Sequence, residues 1–240
     1  MTVRRLGIIG GASWNSTALY YDHINRGVAR ALGGMHSAKL IIESFDFAEY
    51  SAFHAAEDLA GGNAMIVEAA TRLAGAGAEG ILLASNTMHR AIEEVEQATG
   101  LEVIDIRKVT ADKIALDGIG RIALLGTRFT MSEPFARQPY LDRGIAVHDF
   151  APEWRAEVDR IIYQELVAGR VVRESQRRLK SLITELQKQK VQAVVLGCTE
   201  LVMAIDVRAN VLPVYDTTAI HSAAAVEWML GDREEAKAAA

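Results

Sequence analysis

Cys198 is the one cysteine in the 240 residues, and it stands where an apolar, β-branched run over 191–196 gives way to a loop. A thiol at the carboxyl end of a strand, beside the amino end of a following helix, has its thiolate favoured by the helix dipole and by free N–H groups. A thiolate is a base as well as a nucleophile, so the position suits proton abstraction. A lone cysteine is equally a small core residue, and both readings stand on position alone. A second run of the same kind, over 80–83, leads into Ala84, Ser85, Asn86, Thr87, Met88 and His89. Ser85 thus holds the place in its segment that Cys198 holds in its own. A cleft with one proton-handling group on each wall suits removal of a proton from one face of a carbon and delivery to the other, which is racemisation or epimerisation. Thr87 and Thr199, with the loop N–H groups, can hold a carboxylate and stabilise developing enolate-like charge.

The elements that must position these residues alternate between strand and helix. Leu6 to Ile9 reads as a first buried strand, followed by the loop Gly10, Gly11, Ala12, Ser13, Trp14. A helix capped by Asn15 or Ser16 runs from there to Leu32 and stops at Gly33 and Gly34. A strand over 39–44 and a helix over 48–60 follow, with Gly61 and Gly62 as a break and Asn63 capping the next helix. After the strand before Ser85 come a helix through Ile92 and Val95, a short strand over 102–104 and a helix through Ile114. The pattern then restarts with a strand over 121–125, the loop Gly126, Thr127, Arg128, Phe129, Thr130, and a helix over 131–141. A strand at 147–150, helices over 153–167 and 174–189, the Cys198 strand, a strand at 212–215 and a helix over 217–230 complete the chain, and the tail over 231–240 reads as a frayed helix end. Strictly alternating elements imply parallel sheets of an α/β protein.

The two halves repeat each other. LGIIGGAS corresponds to IALLGTRF and ILLASNT to VVLGCTE, and Gly10 to Ser85 spans 75 positions against 72 from Gly126 to Cys198. Two pseudo-symmetric α/β units are expected, 1–110 (with 217–240 returning to it) and 111–216, with the active site in the cleft between their sheets' carboxyl ends.

Composition narrows the partners. A net charge of −5, a pI near 5.7 and no Lys/Arg cluster interleaved with aromatics argue against nucleic acid and favour a small molecule. The apolar run after Arg4 and Arg5 is too short for a signal segment, and nothing approaches a membrane span. One cysteine forms no internal disulfide, which fits a reducing cytoplasm. The six histidines show no ligand spacing, so no metal is expected. Gly75, Gly77 and Gly80 spell GxGxxG, but ahead of a strand instead of behind one, which argues against dinucleotide binding. His89 in a first helical turn and Tyr20 read as structural.

At these residues the chain resembles the aspartate/glutamate racemase family. GIIGGASWNSTALYY, GGMHSAK, NTMH, LLGTRFTM, GCTEL and YDTTAIH occur in the family's order along nearly the whole chain. GCTE, in place of GCTH, resembles the aspartate racemase and broad amino-acid racemase branch. The resemblance implies two Rossmann-like domains, a homodimer, no pyridoxal phosphate or other cofactor, and no metal. It implies catalysis by Cys198 and Ser85, with Ser13, Asn86, Thr87, Thr127, Thr130, Thr199 and Glu200 binding the substrate.

The departure from the family is Ser85, where most relatives carry cysteine and some threonine. A serine hydroxyl ionises far less readily than a thiol but still donates a proton to a carbanion. By resemblance the second-half cysteine takes the α-proton of the L isomer, so the enzyme is expected to act on L-aspartate or L-glutamate and to use the D isomer poorly. Ser85 is equally the mark of a Cys-to-Ser replacement that traps substrate. For the distal carboxylate, the segment where an arginine is sought reads Phe45, Asp46, Phe47, leaving Arg128, Arg170 and Arg173 as candidates by location. Two alternatives remain. An arylmalonate-type decarboxylase needs a single cysteine in the second position, and a non-catalytic amino-acid-binding homologue needs neither base.

Overall fold

A computed structural model describes residues 3–56 and 58–231. The chain divides into two compact units, one formed by residues up to Asp105 together with the chain from His221 onward, the other by Ile106–Ile220.

The first unit carries β1 (Leu6–Gly10), α1 (Trp14–Leu32), β2 (Leu40–Ser44), α2 (Phe47–Ala55), α3 (Leu59–Gly75) and β3 (Gly80–Leu83). A 3₁₀ turn (Thr87–Ala91) follows, then α4 (Ile92–Thr99) and β4 (Val103–Ile104). The second unit carries α5 (Ile106–Leu116), β5 (Arg121–Leu125), α6 (Arg128–Ser132), α7 (Pro134–Leu141), β6 (Ala146–Val147) and α8 (Pro152–Ile161). A π-helical turn (Ile162–Leu166), α9 (Arg173–Lys188), β7 (Ala193–Leu196), a 3₁₀ turn (Thr199–Met203) and β8 (Val214–Asp216) complete it. α10 (Thr217–Leu230) begins in the second unit and ends in the first.

Both sheets are parallel and have the same topology, β2-β1-β3-β4 and β6-β5-β7-β8. The central pairs are in matching register, Ile9 beside Leu83 in one and Leu125 beside Leu196 in the other. The repeat seen in the sequence is therefore a repeat of architecture, an α/β fold built twice.

Burial on both faces explains why the central strands read as unbroken apolar runs. In the second unit Ile122, Leu124, Ala193 and Val195 pack with residues of α5 and α7. Their alternates Ala123, Leu125, Val194 and Leu196 pack with residues of α8 and α9. In the first unit Ile9, Ile81 and Leu83 pack with Ile66, Leu73 and Val95 of α3 and α4.

Several boundaries differ from the sequence reading, each for a local reason. Ser13, in an extended conformation, caps α1 in place of Asn15 or Ser16, its side chain accepting from Ser16 N–H. Asp58 caps α3, accepting from Gly61 N–H at 2.9 Å, so Gly61, Gly62 and Asn63 lie inside the helix instead of before it. Gly61 is needed there because a Cβ would strike the Phe53 ring. Pro134 divides the segment read as one helix over 131–141, and the helix over 153–167 ends in a π turn. The strand expected at 147–150 is the pair Ala146–Val147. The tail beyond Gly231 lies outside the described residues. Among the described residues no helix is long and apolar enough to cross a membrane.

Candidate active site

The loops at the carboxyl ends of the central strands hold the residues singled out by chemistry. In the first unit these ends are Gly10–Ser13, after β1, and Ala84–Thr87, after β3. Gly11 has φ +86, and a Cβ there would run into the backbone N and O of Phe45. No other residue type meets both conditions, so the loop closes tightly on the chain leaving β2. Thr17 locks it, accepting from Gly11 N–H at 2.9 Å and donating to the Ser13 carbonyl at 3.1 Å. Ser16 reaches across to the next loop, its hydroxyl donating to the Ala84 carbonyl at 3.1 Å.

Ser85 is half-buried and Asn86 buried. His89, fully buried, has Nδ1 2.8 Å from the Ser85 carbonyl oxygen. A carbonyl only accepts, so Nδ1 carries the hydrogen. His89 is thus a structural support of the Ser85 loop. Ser13 also acts structurally, as a helix cap.

In the second unit the same construction carries different chemistry. Thr127 caps α6, and Arg128 N–H donates to the Asp159 carboxylate of α8 at 2.7 Å. Thr130 is buried beneath both strand ends: a Cβ on Gly126 or on Gly197 would lie 2.8 Å from its side chain. Gly197 N–H donates to the Leu125 carbonyl at 2.6 Å. The Thr217 hydroxyl, at the start of α10, donates to the Leu196 carbonyl at 2.7 Å. These contacts hold Cys198 immediately beyond β7.

The Cys198 thiol is buried and donates to Glu200 Oε2 at 3.0 Å, and the Thr199 hydroxyl donates to the same oxygen at 2.9 Å. Glu200 is itself buried. Burial pushes the thiol well above its usual range, the Glu200 charge and the thiol-to-carboxylate hydrogen bond push the same way, and a backbone hydrogen bond at Glu200 pulls against them. This corrects the expectation of a thiol drawn down by a helix dipole. The segment after Cys198 is a five-residue 3₁₀ turn, too short for a sizeable dipole, and a carboxylate stands at the thiol.

The sequence-predicted residues therefore form two groups, each within one unit. Ser13, Ser85, Asn86 and Thr87 lie at the ends of β1 and β3. Thr127, Thr130, Cys198, Thr199 and Glu200 lie at the ends of β5 and β7. Of the cationic candidates, Arg128 is exposed over the Phe129 ring, 4.7 Å from its centroid, and Arg170 donates to the Gln164 carbonyl at 2.5 Å. Arg173 is exposed at the start of α9. Asp46 accepts from Ala48 N–H at 2.9 Å, so the segment after β2 presents Phe45 and Phe47 and no cation. Sequence reasoning missed His221, whose partners lie 201 and 117 positions away. Among the described residues no group of three or more His, Cys, Asp or Glu is placed to hold a metal.

A duplicated parallel α/β fold with a cysteine at one central strand end and a hydroxyl residue at the equivalent end defines a class of two-unit α/β proteins with strand-end sites. Residues 9–225 match the Asp/Glu/Hydantoin racemase family, and the chain belongs to that family. A proposed Asp/Glu racemase from Yersinia pestis is 41% identical, with a TM-score of 0.88 over 95% of this chain and 99% of the other. An aspartate racemase homologue from Pyrococcus horikoshii is 30% identical, with a TM-score of 0.79 over 94% and 99%. The aspartate racemase of Picrophilus torridus, 18% identical with a TM-score of 0.75 over 94% of each chain, shares the fold.

Proposed function

We propose that the protein racemises an acidic amino acid, aspartate or glutamate, by two-base proton transfer at the α-carbon without a cofactor. The carrying observation is the buried Cys198 thiol donating to the Glu200 carboxylate at 3.0 Å. A raised thiol pKa makes the thiolate scarce but, once formed, more strongly basic toward a weakly acidic α-proton. Glu200 supplies the acceptor: the thiol proton passes to its carboxylate and from there to solvent, the thiolate takes the α-proton of the L isomer, and the electron pair remains on the substrate as a carbanion. The Ser85 hydroxyl protonates the opposite face, and solvent returns a proton to its oxygen. Asn86, Thr87 and Thr199, with N–H groups of the Ser13 and Thr127 loops, bind the α-carboxylate and amino group. Arg128, on the Thr127 loop, meets the distal carboxylate.

The Ser85 hydroxyl is rarely ionised and so is a poor resting base, and for that reason catalysis starts from the L isomer and the D isomer turns over slowly. The test is proton NMR in D2O with L- and D-aspartate and L- and D-glutamate, beside chiral chromatography and a Cys198→Ala control. Loss of the α-proton from an L isomer, abolished in the control and accompanied by D product, is the expected result. Exchange without D product would show that Ser85 does not complete the reaction. No exchange from any of the four would overturn the assignment.

A further inference from the structure

We infer that His221, brought into the first unit by α10, is a positioning residue for Ser85 and acts through His89. The inference rests on the racemase reading for its kinetic consequence but not for its geometry.

Both ring nitrogens of His221 are engaged in a fully buried environment. Nε2 lies 2.7 Å from the Ile104 carbonyl oxygen and Nδ1 lies 2.9 Å from the Tyr20 hydroxyl. The carbonyl accepts only, so Nε2 carries the hydrogen, and in the neutral ring Nδ1 accepts from Tyr20 O–H. Burial keeps the ring neutral, lowering its pKa to about 3, with the neighbouring His89 acting in the same direction. The tautomer is thereby fixed. Tyr20 meets the ring edge-on as well, with centroids 5.5 Å apart.

The three partners join distant parts of the unit. Tyr20 belongs to α1, whose amino end forms the Ser13 loop. Ile104 ends β4, one residue before the chain leaves the first unit at Asp105, and His221 is the first residue on its return. The His221 ring stands against the His89 ring, centroids 5.6 Å apart at 61°, and His89 holds the Ser85 carbonyl. A locked ring behind His89 restricts its imidazole to the orientation that grips the Ser85 backbone. Ser16 binds the preceding carbonyl, that of Ala84, so the hold on the Ser85 carbonyl itself comes from His89.

The experiment uses the full-length protein with His221→Phe and Tyr20→Phe. The first keeps an aromatic ring and removes both nitrogens, and the second removes one donor with little change of volume. Proton abstraction from the L isomer by Cys198 and delivery by Ser85 are read separately, as α-proton washout and D-product formation in D2O. His221→Phe is expected to lower D product relative to washout by roughly 10- to 100-fold, the cost of a misplacement of about 1 Å. Tyr20→Phe is expected to lower the ratio by a smaller factor. Equal loss of washout and inversion, or an unchanged ratio in both variants, overturns the inference. The amide NMR signals of Ser85 and Asn86 provide a readout that needs no turnover. They are expected to shift in either variant while those of Cys198 and Thr199 stay in place. Unmoved Ser85 and Asn86 signals overturn the inference even if the wild type shows no racemisation, whereas shifted signals in an inactive protein would remove the racemase reading alone.

Discussion

Glu200→Gln is predicted to make Cys198 more acidic and the enzyme slower at once. The substitution keeps the side chain's size and Thr199 as a neighbour but removes the charge at 3.0 Å from the thiol. Losing a charge-assisted hydrogen bond is worth about 1.5 kcal/mol at least. Full Coulomb repulsion at that separation and an effective dielectric constant of about 20 gives roughly 5 kcal/mol as an upper bound. An effect between those two figures lowers the thiol pKa, each ~1.4 kcal/mol counting about tenfold in its ionisation equilibrium. Burial, the largest cause of the raised value, remains, so the thiol should not become an ordinary exposed one. The assay is the pH dependence of alkylation by iodoacetamide, unambiguous because the chain has one cysteine. For every pH unit by which the pKa falls, the thiolate fraction rises about tenfold while lower basicity costs about threefold in nucleophilicity, leaving alkylation roughly threefold faster below the pKa. Racemisation should fall because the thiol proton has lost its acceptor. An alkylation profile that stays put or moves to higher pH would refute the carboxylate's influence on the thiol. Racemisation rising together with alkylation would show that Glu200 restrains Cys198 without serving it.

Three further outcomes are expected. Gly11→Ala should destabilise the fold by more than about 1 kcal/mol in urea denaturation, since the position has φ +86 and no space beside the Phe45 backbone. His221 should make the protein acid-sensitive: its folded pKa, about 3, lies below the unfolded value of about 6.5, so the unfolded state binds the extra proton in that window. The neutral ring's contribution is full above about pH 6.5 and is lost on acidification at up to about 1.4 kcal/mol per pH unit, a slope that His221→Phe should flatten in urea midpoints measured from pH 7 to pH 4. Ser85→Cys should raise turnover of the D isomer relative to the L isomer, because a thiol can act as the resting base where a hydroxyl cannot; unchanged D-isomer rates in chiral chromatography would count against Ser85 as the second proton-handling group.

Much of the fold was legible because strands buried on both faces leave an unmistakable trace, as in GILL and AVVL before the two loops. The repeat was legible for the same reason, since each unit spends its apolar runs on the same strand order. Details that depend on a single turn were not. Asn15, Ser16 and Ser13 are all competent caps, and only the extended backbone at Ser13 decides among them. The segments after β3 and β7 look like helix starts by composition but close as 3₁₀ turns. The thiol's direction was misjudged because chain order locates a helix end but says nothing of a carboxylate folding back from two residues on. The His221 cluster was invisible because α1, β4 and α10 meet only in the folded unit.

The two strand-end loops show how one scaffold can be tuned to unlike proton carriers. A hydroxyl that donates to a carbanion needs no acceptor of its own, but it must be aimed. The first unit supplies donors that grip backbone carbonyls, Ser16 on Ala84 and His89 on Ser85. A thiol that must first lose its proton needs a place for that proton to go. The second unit supplies a buried carboxylate at Cys198, with Thr199 donating to the same oxygen and so sharing its charge. On the proposed reading the preference for the L isomer therefore has two structural sources: the identity of residue 85, and a carboxylate that Cys198 has at hand. Ser85→Cys alone changes the first and not the second, so it should narrow the gap between the isomers without closing it.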